Sequence, residues 1–363
     1  MITKIHIKNI NAIKDSTISF KKSRYHYLYE NIYNEKLVNP IAFYGTNGSG
    51  KTSFIEAIAQ LVRILFEEPG SYNLFIPNLL LSKLSSLSLI KIWFTIDNAN
   101  YIYEIQTKIK DGIVKEELSI NNHTKFHKID SLTYECNNNT YSLSSKNFSA
   151  LRKIANELSD ELITKAYNYL SNIVYIDAFK HEFLSKLISQ KSINDLMVEQ
   201  SNKVEEIFKN YNHFPLYSFE SSTSEEGKKN YFFKMNVNGK SKALSSYFMS
   251  TGMLNQSAML SILTALPKNS VMLIDEIEDA LHPLTIMDFI KVAKERNVQL
   301  IFTSHNTYIL QKLRPDQILF ANWKNGYSTY KKLSDIYPNI REVNNIEKMY
   351  LSHLFDEKIE ADE

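Results

Sequence analysis

Residues 45–52 read Gly45-Thr46-Asn47-Gly48-Ser49-Gly50-Lys51-Thr52, the spacing G-x-x-x-x-G-K-[ST] that cradles phosphates where a strand turns into a helix. Successive backbone N–H groups in a glycine-rich turn converge into a concave nest of donors. The helix that follows adds its positive N-terminal end. In this pattern the Lys51 amine reaches the β- and γ-phosphates and the Thr52 hydroxyl is a Mg²⁺ ligand, with Ser53 next on the helix. The chain has nine glycines, and Gly45, Gly48 and Gly50 put three of them in this one loop. The ligand expected from these residues is a nucleoside triphosphate.

A second set of reactive residues lies far along the chain. Asp275-Glu276 closes the apolar run Val271-Met272-Leu273-Ile274. Adjacent acids at a buried strand end are unfavourable without a cation. Asp275 is therefore placed to hold Mg²⁺, and Glu276 to orient or deprotonate a water. Thr303-Ser304-His305 ends the next apolar run. His305 reads either as a surface or core histidine or as a contact to the γ-phosphate, and its place one strand after the acid pair favours the second. Ser250-Thr251-Gly252-Met253 opens a helix. Locally, Ser250 or Thr251 is an N-cap and Gly252 eases the turn. Chemically, a serine and free amides at a helix start are a second phosphate-binding surface. With one P-loop already in the chain, that surface would face the nucleotide of another subunit. Both readings stay open on local grounds.

These residues need strands and helices in a particular order. Ile41-Ala42-Phe43-Tyr44 is a strand, and about Thr52–Phe66 a helix. Residues 2–20 alternate as strands, and Lys21–Asn39 reads as a loop or hairpin. Pro69-Gly70 marks a break, and residues 72–86 carry no clear period. Leu89–Ile96, Tyr101–Lys108 and Ile113–Ile120, separated by turn residues, read as an antiparallel meander. Residues 121–147 are polar, with one strand expected near Thr140–Leu143. Helical spacing covers Ser149–Leu170 and Phe183–Lys209, with a strand at Ile173–Ile176 between them. Ser221–Asn230 is a polar, mobile stretch in this reading, and Tyr231–Val237 a strand. Residues 253–266 read as an amphipathic helix ending at Pro267. Pro283 opens a helix to about Glu295, and Leu300–Thr303 is the next strand. That strand–helix–strand unit calls for a right-handed parallel crossover.

Composition sets limits. At 363 residues and 44% hydrophobic, the chain suits one large domain with insertions or two domains. Its net charge of +2 gives no global basic field. The single cysteine, Cys136, rules out an internal disulfide and fits a reducing compartment. No apolar run approaches the ~20 residues of a membrane span, and the N-terminus lacks a signal-peptide core. A cytoplasmic protein with no membrane partner is expected.

In this order, GTNGSGKT, the pair Ser250 and Gly252, VMLIDE and the histidine of FTSH resemble ATP-binding-cassette ATPases. Among them the chain is similar to the stand-alone bacterial group related to the OLD and RecF/SMC-like ATPases, whose AAA-type members occur in abortive-infection and other anti-phage systems. Ile5–Asn9, Ile113–Leu118, Leu273–Pro283 and Leu333–Leu351 share in the resemblance, which spans most of the chain outside 121–230. It implies an α/β fold: an ABC-ATPase head (P-loop NTPase) with an antiparallel β subdomain and a helical insertion. The implied parts are an N-terminal lobe (1–148), the mainly helical insertion (149–230), a lobe with signature, Walker-B acid and switch histidine (231–330), and a tail on the core (331–363).

The resemblance implies ATP and Mg²⁺ as ligands, with ATP on residues 45–53 and Lys51 and Thr52 at phosphate and metal. Asp275 would be the second metal ligand, Glu276 the catalytic base and His305 the switch histidine. Ser250 and Gly252 would contact ATP across a homodimer, and Asp279 and His282 would lie between the two sites. A separate effector, a nuclease or toxin, is the implied partner. One rival is a RecF-type DNA-repair ATPase, with Lys21, Lys22, Arg24, Lys228, Lys229, Lys331 and Lys332 as candidates for a basic groove. Another is a slow nucleotide-dependent scaffold that restrains a toxin. MSTGM in place of LSGGQ argues against a transporter subunit. No glutamine fits a Q-loop, since Gln60 lies in the P-loop helix and Gln106 within a strand. The stretch after the last motif is too short for a nuclease domain of OLD type, and His123 and His127 are expected in a loop.

Overall fold

The apolar runs pair into one 15-stranded sheet in a computed structural model that describes residues 1–33, 36–158, 160–213, 218–223, 229–238, 240–245 and 248–355. The chain begins with the hairpin β1 (Ile2–Ile10) and β2 (Ile13–Ser19), then the short β3 (Ile32–Tyr33) and β4 (Leu37–Val38). The P-loop joins β5 (Ile41–Tyr44) to α1 (Lys51–Phe66). A six-stranded antiparallel meander follows: β6 (Ser88–Ile96), β7 (Ala99–Lys108), β8 (Gly112–Ile120), β9 (His123–Lys128), β10 (Thr133–Cys136) and β11 (Asn139–Ser142). Helices α2 (Ala150–Glu157) and α3 (Glu161–Ser171) lead to β12 (Val174–Asp177), β13 (Glu182–Leu184), α4 (Lys186–Gln190) and α5 (Ile193–Asn210).

A separate small sheet holds β14 (Ser218–Thr223), β15 (Lys229–Val237) and β16 (Lys240–Ser245). After it come α6 (Thr251–Ala265), β17 (Val271–Asp275), α7 (Ile277–Ala280), α8 (Pro283–Glu295) and β18 (Gln299–Thr303). The last elements are β19 (Ile318–Lys324), β20 (Tyr327–Lys332), α9 (Leu333–Ile336) and α10 (Ile346–Leu351).

Strand order in the main sheet is β11-β10-β9-β8-β7-β6-β1-β2-β20-β19-β5-β18-β17-β12-β13. The stretch from β19 to β12 is parallel, and the wing from β11 to β2 is antiparallel. The parallel strands are buried on both faces, which is why they read as continuous apolar runs. Val271 and Leu273 enter a core with α1, α2 and α3, while Met272 and Ile274 enter a second core with α5, α6 and α8. Among the described residues no helix is long and apolar enough to cross a membrane.

Several elements differ from the sequence reading. The stretch 149–170 is two helices, because the Ser149 hydroxyl caps α2 and the Asp160 carboxylate caps α3, each accepting a backbone N–H. Phe183 begins in a strand, and Ser192 caps α5. The region 121–147 forms three strands where one was expected, and His123 and His127 stand on β9 instead of in a loop. The helix read as amphipathic over 253–266 has every residue from Gln256 to Thr264 buried, so it is a central helix and not a surface one. Within 149–230, β12 is a core strand beside β17. In the polar stretch 221–230, residues 221–223 and 229–230 belong to β14 and β15, while 224–228, Lys228 among them, lie outside the described residues.

The meander and α2 are joined through Glu116, which is fully buried. It accepts hydrogen bonds from Tyr103 Oη (2.8 Å), Ser149 Oγ (2.7 Å) and the amides of Ala150 (2.7 Å) and Leu151 (3.0 Å). A carboxylate there also meets the positive start of α2. Glu116→Gln is expected to lower stability by ~1–3 kcal/mol, the cost of leaving buried donors mispaired, read as a shifted denaturant midpoint.

Candidate functional site

The P-loop lies at the carboxyl ends of the parallel strands, the edge where open α/β sheets bind ligands. Two of its glycines are required by their surroundings. Gly45 has φ +148°, and a Cβ there would sit 2.4 Å from the Ala321 carbonyl oxygen. Gly50 has φ +96°, and a Cβ would sit 1.9 Å from Ser328 Oγ. The β19–β20 hairpin thus presses on the loop and fixes its shape. Gly50→Ala is expected to weaken nucleotide binding at least about tenfold, since strain of ~1–3 kcal/mol falls on the loop itself. Titration with a fluorescent ATP analogue would measure it.

Lys51 is buried and folds back on its loop, with Nζ donating to the carbonyls of Gly45 (3.0 Å) and Thr46 (3.1 Å). Burial lowers its pKa below the usual lysine value, and Glu276 and Asp275 oppose that shift. Asn47, Gly48, Gly50, Lys51, Thr52 and Ser53 line a cleft of about 340 Å³ together with Glu276, His305 and Ala12. The motifs separated by more than 200 positions in the chain therefore share one cavity.

Asp275 ends β17. Its Oδ1 accepts from Thr52 Oγ1 (3.1 Å) and Thr303 Oγ1 (2.5 Å). Burial raises its pKa, opposed by those two hydroxyls. Thr303 in turn accepts the Glu276 amide at 2.8 Å. Glu276 sits at φ 52° and ψ 58°, a left-handed conformation for a non-glycine residue. Such strain persists where neighbours over-determine it and clusters at reactive sites. Burial raises the Glu276 pKa, followed by its hydrogen bond with Asp279 and the charge of Asp275. Burial and the Lys51 charge lower the pKa of His305, so its imidazole is neutral near pH 7. The His305 amide donates to the Glu278 carboxylate.

These residues fit ATP with Mg²⁺. Ser49 Oγ is buried without a hydrogen-bond partner inside the loop. The Thr52 hydroxyl and Asp275 carboxylate meet as the hard oxygen ligands that Mg²⁺ takes. The lysine beside them is held only by carbonyls that a phosphate oxygen can replace.

Other candidates lie elsewhere. Ser250 caps α6 by accepting the Met253 amide at 3.3 Å, and both it and Gly252 are exposed. Neither lines the P-loop cleft. Asp279 adjoins Glu276, and His282 caps α8 and shares a cleft of about 530 Å³ with His305. Of the basic candidates, Lys21, Lys22 and Arg24 are exposed, and Lys331 and Lys332 lie half-buried on β20. Lys229 begins β15, but its side chain lies outside the described residues.

Two acids escape the sequence reading. Asp177 ends β12 in parallel register with Asp275 and is buried against Lys180 at 2.8 Å. Glu278 supports the His305 backbone. The one available signal was that VYID ends in an acid as VMLID does.

A P-loop between β5 and α1, an acid pair ending β17, a histidine after β18 and a long antiparallel wing define a P-loop ATPase domain of AAA type. Residues 41–311 match the family model described as "AAA domain, putative AbiEii toxin, Type IV TA system", and the chain belongs to that family. A solved SMC head bound to the C-winged helix domain of ScpA is similar in fold, with a TM-score of 0.53 at 14% identity over 92% of this chain and 99% of that one. The SMC head domain from Thermotoga maritima aligns at TM-score 0.45 and 12% identity over 91% and 98%. RecF with ATP aligns at 0.39 and 12% over 91% and 99%. A search of curated proteins finds no match.

Proposed function

We propose that the protein hydrolyses ATP as a head-to-tail homodimer and that its ATP state controls a separate effector, a nuclease or toxin, in bacterial anti-phage defence. The observation that carries the ATPase reading is the convergence of Lys51, Thr52, Asp275, Glu276 and His305 on one cleft end. The family's description as a toxin–antitoxin AAA domain supports the defence setting.

In this mechanism the P-loop amides and Lys51 bind and orient the triphosphate. Thr52 and Asp275 would hold Mg²⁺, which when bound would neutralise phosphate charge. Glu276 takes a proton from water as the water oxygen bonds to the γ-phosphorus and the β–γ bridging P–O bond breaks, giving ADP and phosphate. His305, neutral, contacts the γ-phosphate. Ser250 and Gly252, exposed at the start of α6, complete the site of a second copy through the helix N-terminus.

Light scattering of Glu276→Gln with ATP and Mg²⁺ tests the assembly. The expected mass is twice the 42.2 kDa of the chain; a nucleotide-loaded species that stays single overturns the dimer.

The pH profile follows from the raised Glu276 carboxyl. A base works only when deprotonated, so activity is expected to fall on the acid side at a pH above the ordinary glutamate value of about 4.3. Asp279→Asn removes a neighbour that raises that carboxyl, and is expected to move the acid limb of kcat/KM downward.

A further inference from the structure

A cleft larger than the nucleotide cleft lies away from the P-loop. It measures about 940 Å³ between the segment Ser23–Tyr27 and the tail Ser334–Glu342, and none of its lining residues lines the nucleotide cleft. Arg24, Tyr25, His26, Tyr27 and Arg341 face into it.

A buried ion pair anchors its floor. Arg314 is fully buried and pairs with the buried Asp316 at 3.0 Å. The same guanidinium donates to the carbonyls of Tyr27 (2.5 Å) and Tyr25 (3.3 Å), while Asp316 accepts the Ser23 amide (2.7 Å) and hydroxyl (2.9 Å). The loop backbone is thereby tied to the interior, with Arg24 and His26 exposed and Tyr25 and Tyr27 half-buried.

The sequence there interleaves Arg24 and His26 with the rings of Tyr25 and Tyr27, with exposed Lys21 and Lys22 just before. The Tyr25 and Tyr27 rings stand 5.8 Å apart, edge to face. The Tyr27 hydroxyl is buried with no hydrogen-bond partner. Among the described residues neither Arg24 nor Arg341 forms an ion pair. Two guanidinium groups without ion pairs and two rings thus meet in one open groove. Asp335 and Glu342 also line it, which places acceptors where the amino groups of bases would find them. A ligand that suits this set has flat aromatic units, exocyclic amines and phosphates at regular spacing.

We propose that this cleft binds single-stranded nucleic acid, with bases stacked on Tyr25 and Tyr27 and phosphates held by Arg24 and Arg341. Stacking is tolerant of sequence because every base has a π-face, and the basic rim follows the backbone. A duplex hides its bases from such rings, so the strand must be single. The site stands independently of the ATPase reading, since it shares no residue with it.

Fluorescence anisotropy of the full chain with a short labelled oligonucleotide, single-stranded or annealed, tests this. The single strand is expected to bind more tightly than the duplex, and excess ATP, which fills the P-loop, is expected not to displace it. Arg24→Ala with Arg341→Ala is expected to weaken binding at least about tenfold and to flatten the log–log salt slope by about 1.4, for two phosphates at about 0.7 each. Tyr27→Leu removes the ring and is expected to weaken binding several-fold through lost stacking. Unchanged binding of a fluorescent ATP analogue shows that each variant is folded. Absence of strand binding, preference for duplex, displacement by ATP, or an arginine double variant that binds as the wild type does would each overturn the proposal.

Discussion

Glu276→Gln is expected to lower ATP turnover by about 10²–10⁴-fold, the range a positioned general base supplies, with ATP affinity retained. Glutamine has the shape of glutamate but takes no proton at neutral pH. The Glu276 amide still reaches Thr303 Oγ1, and Asp275 and Thr52 keep their contact, so the phosphate and metal side of the cleft is undisturbed. The substitution also removes one negative charge from a cluster with Asp275, Glu278 and Asp279, so thermal stability should not fall. Lys51→Ala makes the contrast, because it removes the amine that the described residues place in the cleft lining and is expected to lose nucleotide binding itself. Steady-state phosphate release and nucleotide titration on both variants separate the two roles. Equal turnover in wild type and Glu276→Gln would remove Glu276 from the mechanism and favour the slow-scaffold reading.

Why those five residues could be read from sequence is a matter of strand ends. Ile41–Tyr44, Val271–Ile274 and Leu300–Thr303 are short runs of continuous apolar residues, a pattern that marks strands buried on both faces. The residues just after each such run reach the carboxyl edge of the sheet, which puts Gly45, Asp275 and, two positions past Thr303, His305 on one side. Asp177 was not legible, because its importance depends on β12 lying beside β17, a pairing of residues about a hundred positions apart. The insertion of β19 between β20 and β5 is hidden for the same reason. Short strands such as β10 escape because only Tyr134 and Cys136 face inward, two residues in a polar stretch. In α6 the serines and threonine at 257, 261 and 264 look like a solvent face but are buried; Thr264 satisfies its hydroxyl on the Ser261 carbonyl. Periodicity reports polarity, and a buried hydroxyl bonded within its own helix imitates a surface one.

Arg314 is the extreme case, since Leu313-Arg314-Pro315-Asp316-Gln317 carries three polar side chains in five residues yet is buried throughout. Arg314→Ala is expected to cost ~3–5 kcal/mol, because it strands the Asp316 carboxylate without its counter-charge in the interior. It also leaves the carbonyls of Tyr25 and Tyr27 without their donor. Breaking one half of a buried pair is worse than removing both. Arg314→Met with Asp316→Leu is therefore expected to recover part of the loss, but not all, since the Ser23 amide and hydroxyl then lack their acceptor. Chemical denaturation of the two variants distinguishes these terms, and the order single below double below wild type is the signature of a desolvated pair. A loss under about 1 kcal/mol for Arg314→Ala would instead be the size of a solvated surface ion pair, and the anchoring of the Ser23–Tyr27 loop would then rest on its other contacts.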